Sequence, residues 1–136
     1  MIPSVKVLVD SSVWIDFFRQ KKSNELGRLL EEDLVCINDI ILTELIPSLT
    51  RSNQKEIIEG LFSLDRIPLS IDWELLRRYQ VKNLSNGINK VGIPDLIIMQ
   101  QVIQFKISLY TNDNHFYLMQ NYFKFDLLFP KHSGAR

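Results

Sequence analysis

The sequence predicts an α/β fold, a three-layer α/β/α sandwich built on a mainly parallel sheet. Short apolar runs alternate with stretches of helical periodicity along nearly the whole chain. The first of these runs, Val5-Lys6-Val7-Leu8-Val9, is mostly β-branched and apolar, the profile of a strand covered on both faces. Strands that alternate with helices are joined by right-handed crossovers, which makes the sheet parallel and puts helices on both faces.

Each element follows in order. After the first strand a short helix is expected from about Val13 to Arg19, opened by a Ser11/Ser12 cap, and a second after Ser23 with Leu26, Leu29 and Leu30 at helical spacing. Leu34–Ile37 reads as a strand, and Asn38 or Asp39 caps a helix to about Leu49. Asn53–Ser63 reads as helix, Arg66–Leu69 as strand, and Asp72–Ser85 as a helix ended by Asn86-Gly87. Pro94 suits the first turn of a helix that continues to about Phe105. Ser108–Tyr110 is a strand, Asn114–Tyr122 a helix and Phe125–Leu128 a last strand. Residues 1–130 are expected to form one domain, and 131–136 a flexible tail.

The 136 residues are 46% hydrophobic and 24% charged, an ordinary globular composition that can bury a core without staples. The lone Cys36 excludes an internal disulfide and a cysteine metal cluster, and its apolar neighbours make it a core thiol. No apolar run approaches the roughly 20 residues that cross a bilayer, and no secretion signal opens the chain, so a cytoplasmic location is expected. Sixteen basic residues against sixteen acidic ones give a net charge of zero, without the basic surplus usual for nucleic-acid binding.

In parallel sheets ligands bind beyond the carboxyl ends of the strands. Asp10 directly follows the first strand and Asp113 follows Ser108–Tyr110 by two residues, so both belong to one rim; capping and turn roles suit each equally. Asp95 falls on the apolar arc of its helix with Ile98, Met99, Val102 and Phe105, opposite Gln100, Gln101 and Gln104. An inward carboxylate needs a partner, because an isolated buried charge costs many kcal/mol. Glu44 lies on the flank of an arc formed by Ile41, Leu42, Leu45 and Leu49, where a boundary residue with its head in water is the simpler role. Asp16, on a polar arc one turn before Arg19, reads as a solvated ion pair, and Asp72 and Glu74 as ordinary first-turn acids.

Four carboxylates converging at one rim repel each other, and a divalent cation relieves them. Oxygen donors without a His/Cys set point to Mg²⁺ or Mn²⁺ rather than zinc; His115 reads as a helix-start residue and His132 as a tail residue. Such an ion keeps open positions for water and phosphate, which suits phosphodiester hydrolysis.

Val9-Asp10-Ser11-Ser12-Val13-Trp14-Ile15-Asp16, the helix around Thr43-Glu44-Leu45, Gly92-Ile93-Pro94-Asp95-Leu96-Ile97 and Thr111-Asn112-Asp113-Asn114-His115-Phe116 resemble, in order and spacing, a PIN domain, and more narrowly the VapC toxins of toxin–antitoxin pairs. The resemblance implies an α/β/α fold, Mg²⁺- or Mn²⁺-dependent endoribonuclease activity on RNA, a homodimer and a cognate VapB-type antitoxin. By position, Asp10 and Asp95 match metal ligands, Glu44 and Asp113 the other two acids of the quartet, and Ser11 and Thr111 supporting hydroxyls. Lys21-Lys22, Arg51, Lys55, Arg77-Arg78 and Lys90 are candidates for local phosphate contacts despite the neutral total.

Two other acidic α/β folds fit poorly. A phosphoreceiver domain needs an acidic pair at the first strand end, where Asp10 is followed by two serines. A haloacid-dehalogenase-type phosphatase needs an acid where Ser12 stands. A non-catalytic PIN-like interaction module stays open on sequence alone. The helical pair within Asp39–Ser63 carries Ile40, Ile46 and Pro47 outside its core arc, followed by Ile57, Ile58, Leu61 and Phe62, more apolar surface than one stripe needs; a partner surface is expected there.

Overall fold

Val7, Leu8 and Val9 form the central strand β1 (Val7–Val9), and all three are buried, as a strand covered on both faces requires. The computed structural model describes residues 6–19 and 24–129. Val5, Lys21-Lys22, His132 and the expected tail lie outside them. The other elements are α1 (Ser11–Phe18), α2 (Asn24–Glu31), β2 (Val35–Ile37), α3 (Asp39–Arg51), α4 (Lys55–Phe62), β3 (Asp65–Arg66), α5 (Trp73–Ser85), α6 (Ile93–Phe105), β4 (Ser108–Tyr110), α7 (Asn114–Met119) and β5 (Asp126–Leu127).

The sheet runs β3-β2-β1-β4-β5 and every pairing is parallel, with Val7 opposite Val35 on one side and Ser108 on the other. The chain therefore winds outward from β1 to β3, then returns to the far side of β1. With right-handed crossovers this reversal puts the helices on both faces. On the side of the first winding α1 packs on α3 and α3 on α4; on the other, α5 packs on α6. The reversal also opens a crevice beyond the carboxyl ends of β1 and β4, the place where such folds bind ligands.

Caps explain several boundaries. Asn38 is fully buried and its side chain accepts the Ile41 N–H at 2.8 Å, starting α3. Asp72 does the same for Leu75 N–H at 3.1 Å, and Gly87 takes the left-handed φ of +76° after α5. The expected Ser11/Ser12 cap is overturned: α1 begins at Ser11, and Asp10 holds the N-cap position. The last helix ends at Met119 rather than Tyr122, because the Tyr122 and Phe123 amides both turn back to the Met119 carbonyl.

α6 corrects a larger expectation. Gln100 and Gln101 are not on a solvated arc but buried, with Gln101 donating to the Pro68 carbonyl at 2.9 Å and Gln100 to that of Ser70 at 2.7 Å. Gln101 also accepts from Asn38, and Gln100 from the Asp72 N–H. These two amides tie down the irregular 67–72 strand exit by bonding its backbone polar groups. Phe105, expected in the apolar arc, is exposed. The Cys36 thiol is buried and burial pushes its pKa up to about 12, an inert core sulfur. No described helix is long and apolar enough to cross a membrane.

Candidate metal centre

The backbone of β1 runs on into the site: Asp10 N–H donates to the Tyr110 carbonyl at 2.9 Å, fixing the end of β1 against the end of β4. Asp10 sits at the N-cap of α1 with extended φ and ψ, yet its side chain makes no capping bond. It turns instead into the crevice, where only 5% of the residue is exposed. Its Oδ2 accepts from Thr111 Oγ1 at 2.8 Å and from Ser12 Oγ at 3.0 Å.

Both hydroxyls work twice. Thr111 Oγ1 accepts the Asp113 N–H at 2.9 Å, and Ser12 Oγ accepts the Asn112 N–H at 3.0 Å. The Asn112 amide in turn donates to Asp16 Oδ2 at 3.0 Å. The loop after β4 is thereby stitched to the first two turns of α1. Asp16 is thus a tether for this loop, and the ion pair expected with Arg19 does not form.

Asp113 caps α7, its Oδ1 accepting the His115 N–H at 2.9 Å, so the capping role and the site role coexist. Asp95 enters from the first turn of α6, which Gly92 and Pro94 start at the same rim. Glu44 comes from the second turn of α3, and a Ser11 hydrogen bond favours its charged form. The fold therefore brings Asp10, Glu44, Asp95 and Asp113 into mutual electrostatic reach, as each of the other three acids raises the Asp95 pKa.

The electrostatics are unfavourable without a cation. Asp95 is pushed up to about 7, first by burial, then by the charges of Asp113, Asp10 and Glu44, and by a hydrogen bond with Asp113. The α6 N-terminus pulls the other way but supplies only about 0.3–1 kcal/mol, against about 1.4 kcal/mol for every pKa unit of displacement. Burial also raises Asp10 most, although Thr111 and Ser12 offset part of it. Burial raises Glu44 as well, with Asp10 adding to it and Ser11 opposing. An acid pocket of this kind fits a divalent cation, which would replace mutual repulsion with coordination.

His115 was missed by sequence reasoning, which read it as a helix-start residue only. Its Nδ1 lies 3.9 Å from Asp95 Oδ2 and 3.7 Å from Asp113 Oδ1. One donor atom each from Asp95, Asp113 and His115 lie within 4.8 Å of one another. Ser12 and Asn112 were likewise missed. The pairing of β1 with β4, which brings residues about a hundred positions apart together, gives Ser12 and Asn112 their role, and the approach of α6 to α7 gives His115 its own.

Comparison with known proteins agrees with this geometry. The PIN domain family matches residues 7–121. No curated protein matches the sequence. Among solved structures, the DNA-bound VapBC of Salmonella typhimurium is similar at a TM-score of 0.67 and 21% identity, over 83% of this chain and 91% of that one. VapBC2 of Rickettsia felis, bound to a promoter DNA fragment, gives 0.70 and 18% over 90% of this chain and 96% of that one. A toxin–antitoxin complex of Klebsiella pneumoniae gives 0.60 and 20%, over 80% and 88%. At these identities the structures share the fold, while the match across residues 7–121 decides the family: the chain belongs to the PIN domain family.

Proposed function

We propose that the chain is a Mg²⁺- or Mn²⁺-dependent endoribonuclease, the toxin of a VapBC-type toxin–antitoxin pair, acting as a homodimer on RNA in the cytoplasm. The observation that carries this reading is the convergence of Asp10, Glu44 and Asp113 on Asp95, whose carboxyl is pushed up to about 7 first by burial and then by those three acids. Asp10, Glu44, Asp95 and Asp113 are the proposed metal-holding and catalytic residues, with Ser11 and Thr111 supporting them.

When bound, the cation polarises the phosphate and lowers the pKa of a water. The chain's own residues set the stage for that chemistry. Thr111 and Ser12 fix the Asp10 carboxylate through two hydrogen bonds to one oxygen, Oδ2. Oδ1 of Asp113 is held by the His115 amide, so the loop and the helix orient that carboxylate together. Exposed Arg51, Lys55, Arg77 and Lys90 are available to phosphates of a longer RNA, whereas Arg78 is engaged with Glu74 at 3.5 Å.

The antitoxin surface is proposed on the α1–α3–α4 side. A groove of about 530 Å³ there is lined by Ile15, Phe18, Leu45, Leu49 and Ile57 together with the polar Arg19, Ser48, Ser52 and Gln54, and Glu44 is part of its wall. Ile40, Ile46, Ile57 and Ile58 are half-buried while Pro47 and Phe62 are exposed; Leu61, expected to add to the surface, is buried in the core. A partner segment seated in the groove reaches the acid pocket at Glu44 and blocks it. The structures from Salmonella typhimurium and Rickettsia felis, as complexes named VapBC, support an antitoxin partner.

The test is RNA cleavage by purified protein with added Mg²⁺ or Mn²⁺. Cleavage should depend on the ion and stop in EDTA. Equal cleavage by rigorously metal-free protein overturns the proposal, and no cleavage with any divalent ion favours a non-catalytic PIN module.

A further inference from the structure

The acid quartet leaves one donor of the pocket unused. His115 Nδ1 stands 3.7 Å from Asp113 Oδ1 and 3.9 Å from Asp95 Oδ2, facing two carboxylates on different helices. Both distances are too long for a hydrogen bond, which falls at about 2.7–3.2 Å. Each is about 0.6–0.8 Å longer than the spacing of adjacent ligands on one octahedral ion, so a small closing movement of the imidazole lets it share an ion with both acids. Donors about 2.2 Å from an octahedral cation stand roughly 3.1 Å apart when adjacent and roughly 4.4 Å apart when opposite.

The backbone makes this placement firm. His115 is the second residue of α7, and its own N–H is bound to Asp113 Oδ1 at 2.9 Å. Asp113 N–H is bound in turn to Thr111 Oγ1. The imidazole is therefore carried by the same turn that carries an acid of the site, and it is two-thirds shielded, with 32% of its side chain exposed. The backbone of His115 is thus tied to the turn that carries Asp113, and rotation of the side chain sets how near the imidazole comes to Asp95.

We infer that His115 supplies a nitrogen ligand through Nδ1 to the cation held by Asp95 and Asp113, and that this gives the pocket a preference for Mn²⁺ over Mg²⁺. The chemistry follows from donor softness. Mg²⁺ demands oxygen ligands at near-ideal geometry and gives up water reluctantly, whereas Mn²⁺, although it also suits carboxylate and water, loses less when one oxygen is exchanged for an imidazole. The inference rests on the proposed metal pocket and adds its selectivity.

The test uses Mn²⁺ as the probe, at one fixed pH, on wild type and His115→Asn. Pulsed electron paramagnetic resonance of bound Mn²⁺ should show coupling to a ¹⁴N nucleus in the wild type and none in the variant. Titration should show Mn²⁺ binding weakened by about tenfold or more in His115→Asn, with Mg²⁺ binding, read by competition, changed less than about threefold. A Mn²⁺-loaded wild type without nitrogen coupling, or a variant that loses both ions equally, overturns the role of His115 and leaves the acid pocket standing. A wild type that takes up neither ion overturns the pocket itself. His115→Gln, which keeps more of the side-chain volume, and circular dichroism guard against a folding defect; a misfolded His115→Asn passes the comparison to His115→Gln.

Discussion

At the amino end of the sheet Lys6 precedes β1 and Asp65 opens β3, and the two pair at 2.8 Å while Lys6 also donates to the Asp33 carbonyl at 2.7 Å. The Asp65 hydrogen bond is the main reason the Lys6 pKa is raised, which means its charge is favoured by the fold. Ser108 and Asp126, which open β4 and β5, bond to each other at the same edge. At the carboxyl end Asp10, Glu44 and Asp95 all have raised pKa values, which for acids means that charge is disfavoured. One edge of a single short sheet thus settles its charges among its own residues, and the other gathers like charges that a divalent cation would neutralise. The acids of the two ends differ in burial as well as in partners: Asp65 is exposed and paired with a lysine, whereas burial first and like charges next raise Asp95.

The largest effect that sharpens this contrast is Asp95→Asn. RNA cleavage should fall at least roughly 100-fold, since the variant removes one charge from the proposed cation site. A cleavage assay over Mg²⁺ concentration checks it; activity within a few-fold of wild type breaks the assignment.

The pH dependence of stability comes next. In EDTA the folded protein keeps a proton on Asp95 up to pH about 7, whereas the unfolded chain releases it near 3.8. Between those values the native state binds more protons than the unfolded state, so stability falls as pH rises from about 4 to about 7. The full displacement corresponds to about 4 kcal/mol, and with 21% of the side chain exposed a loss of about 1–3 kcal/mol is expected. Asp10 and Glu44 shift in the same direction and add to it. Urea melts from pH 4 to 8 measure the slope, which Asp95→Asn should flatten.

Thr111→Val removes the donor to Asp10 and the acceptor of the Asp113 amide in one step. A loss of about 1–2 kcal/mol is expected, together with weaker metal binding, because a buried N–H is left without a partner. Calorimetry and metal titration read the two parts separately. Lys6→Met at the opposite edge should have the smallest effect. It breaks a pair whose Asp65 side chain is 65% exposed, worth at most about 1 kcal/mol, and cleavage should not change. A large loss of cleavage in Lys6→Met would erase the distinction between the two edges.

Much of this architecture was legible because local signals were unambiguous. Asn38 and Asp72 are strong caps at the starts of α3 and α5, and Val7–Val9 is an unbroken apolar run. Asp10, Asp113 and Asp95 stood out as site candidates from strand ends and from the arc of α6, whereas spacing alone favoured a solvated boundary role for Glu44, which only the family resemblance put in the quartet. What stayed hidden depended on residues far apart in the chain. Gln100 and Gln101 looked solvated because periodicity registers residue type, whereas their partners, the carbonyls of Pro68 and Ser70, come from a loop some thirty positions away. Asp10 read as one possible cap among several, although the side chain forgoes capping to meet Thr111 and Ser12. His115 beside an aspartate has no distinctive sequence signature, and it gains meaning only when the start of α6 is laid against that of α7.

The claim that the four acids form a cation pocket is tested most directly by melting wild type and Asp95→Asn in EDTA and again in millimolar Mn²⁺. In EDTA the variant should melt at or above the wild type, because loss of one charge relieves the repulsion that raises the Asp95 pKa to about 7. Addition of Mn²⁺ should raise the wild-type melting temperature and leave the variant nearly unmoved. A variant that melts well below the wild type in EDTA, with no response of either protein to Mn²⁺, would show that Asp95 is a structural acid and contradict the account.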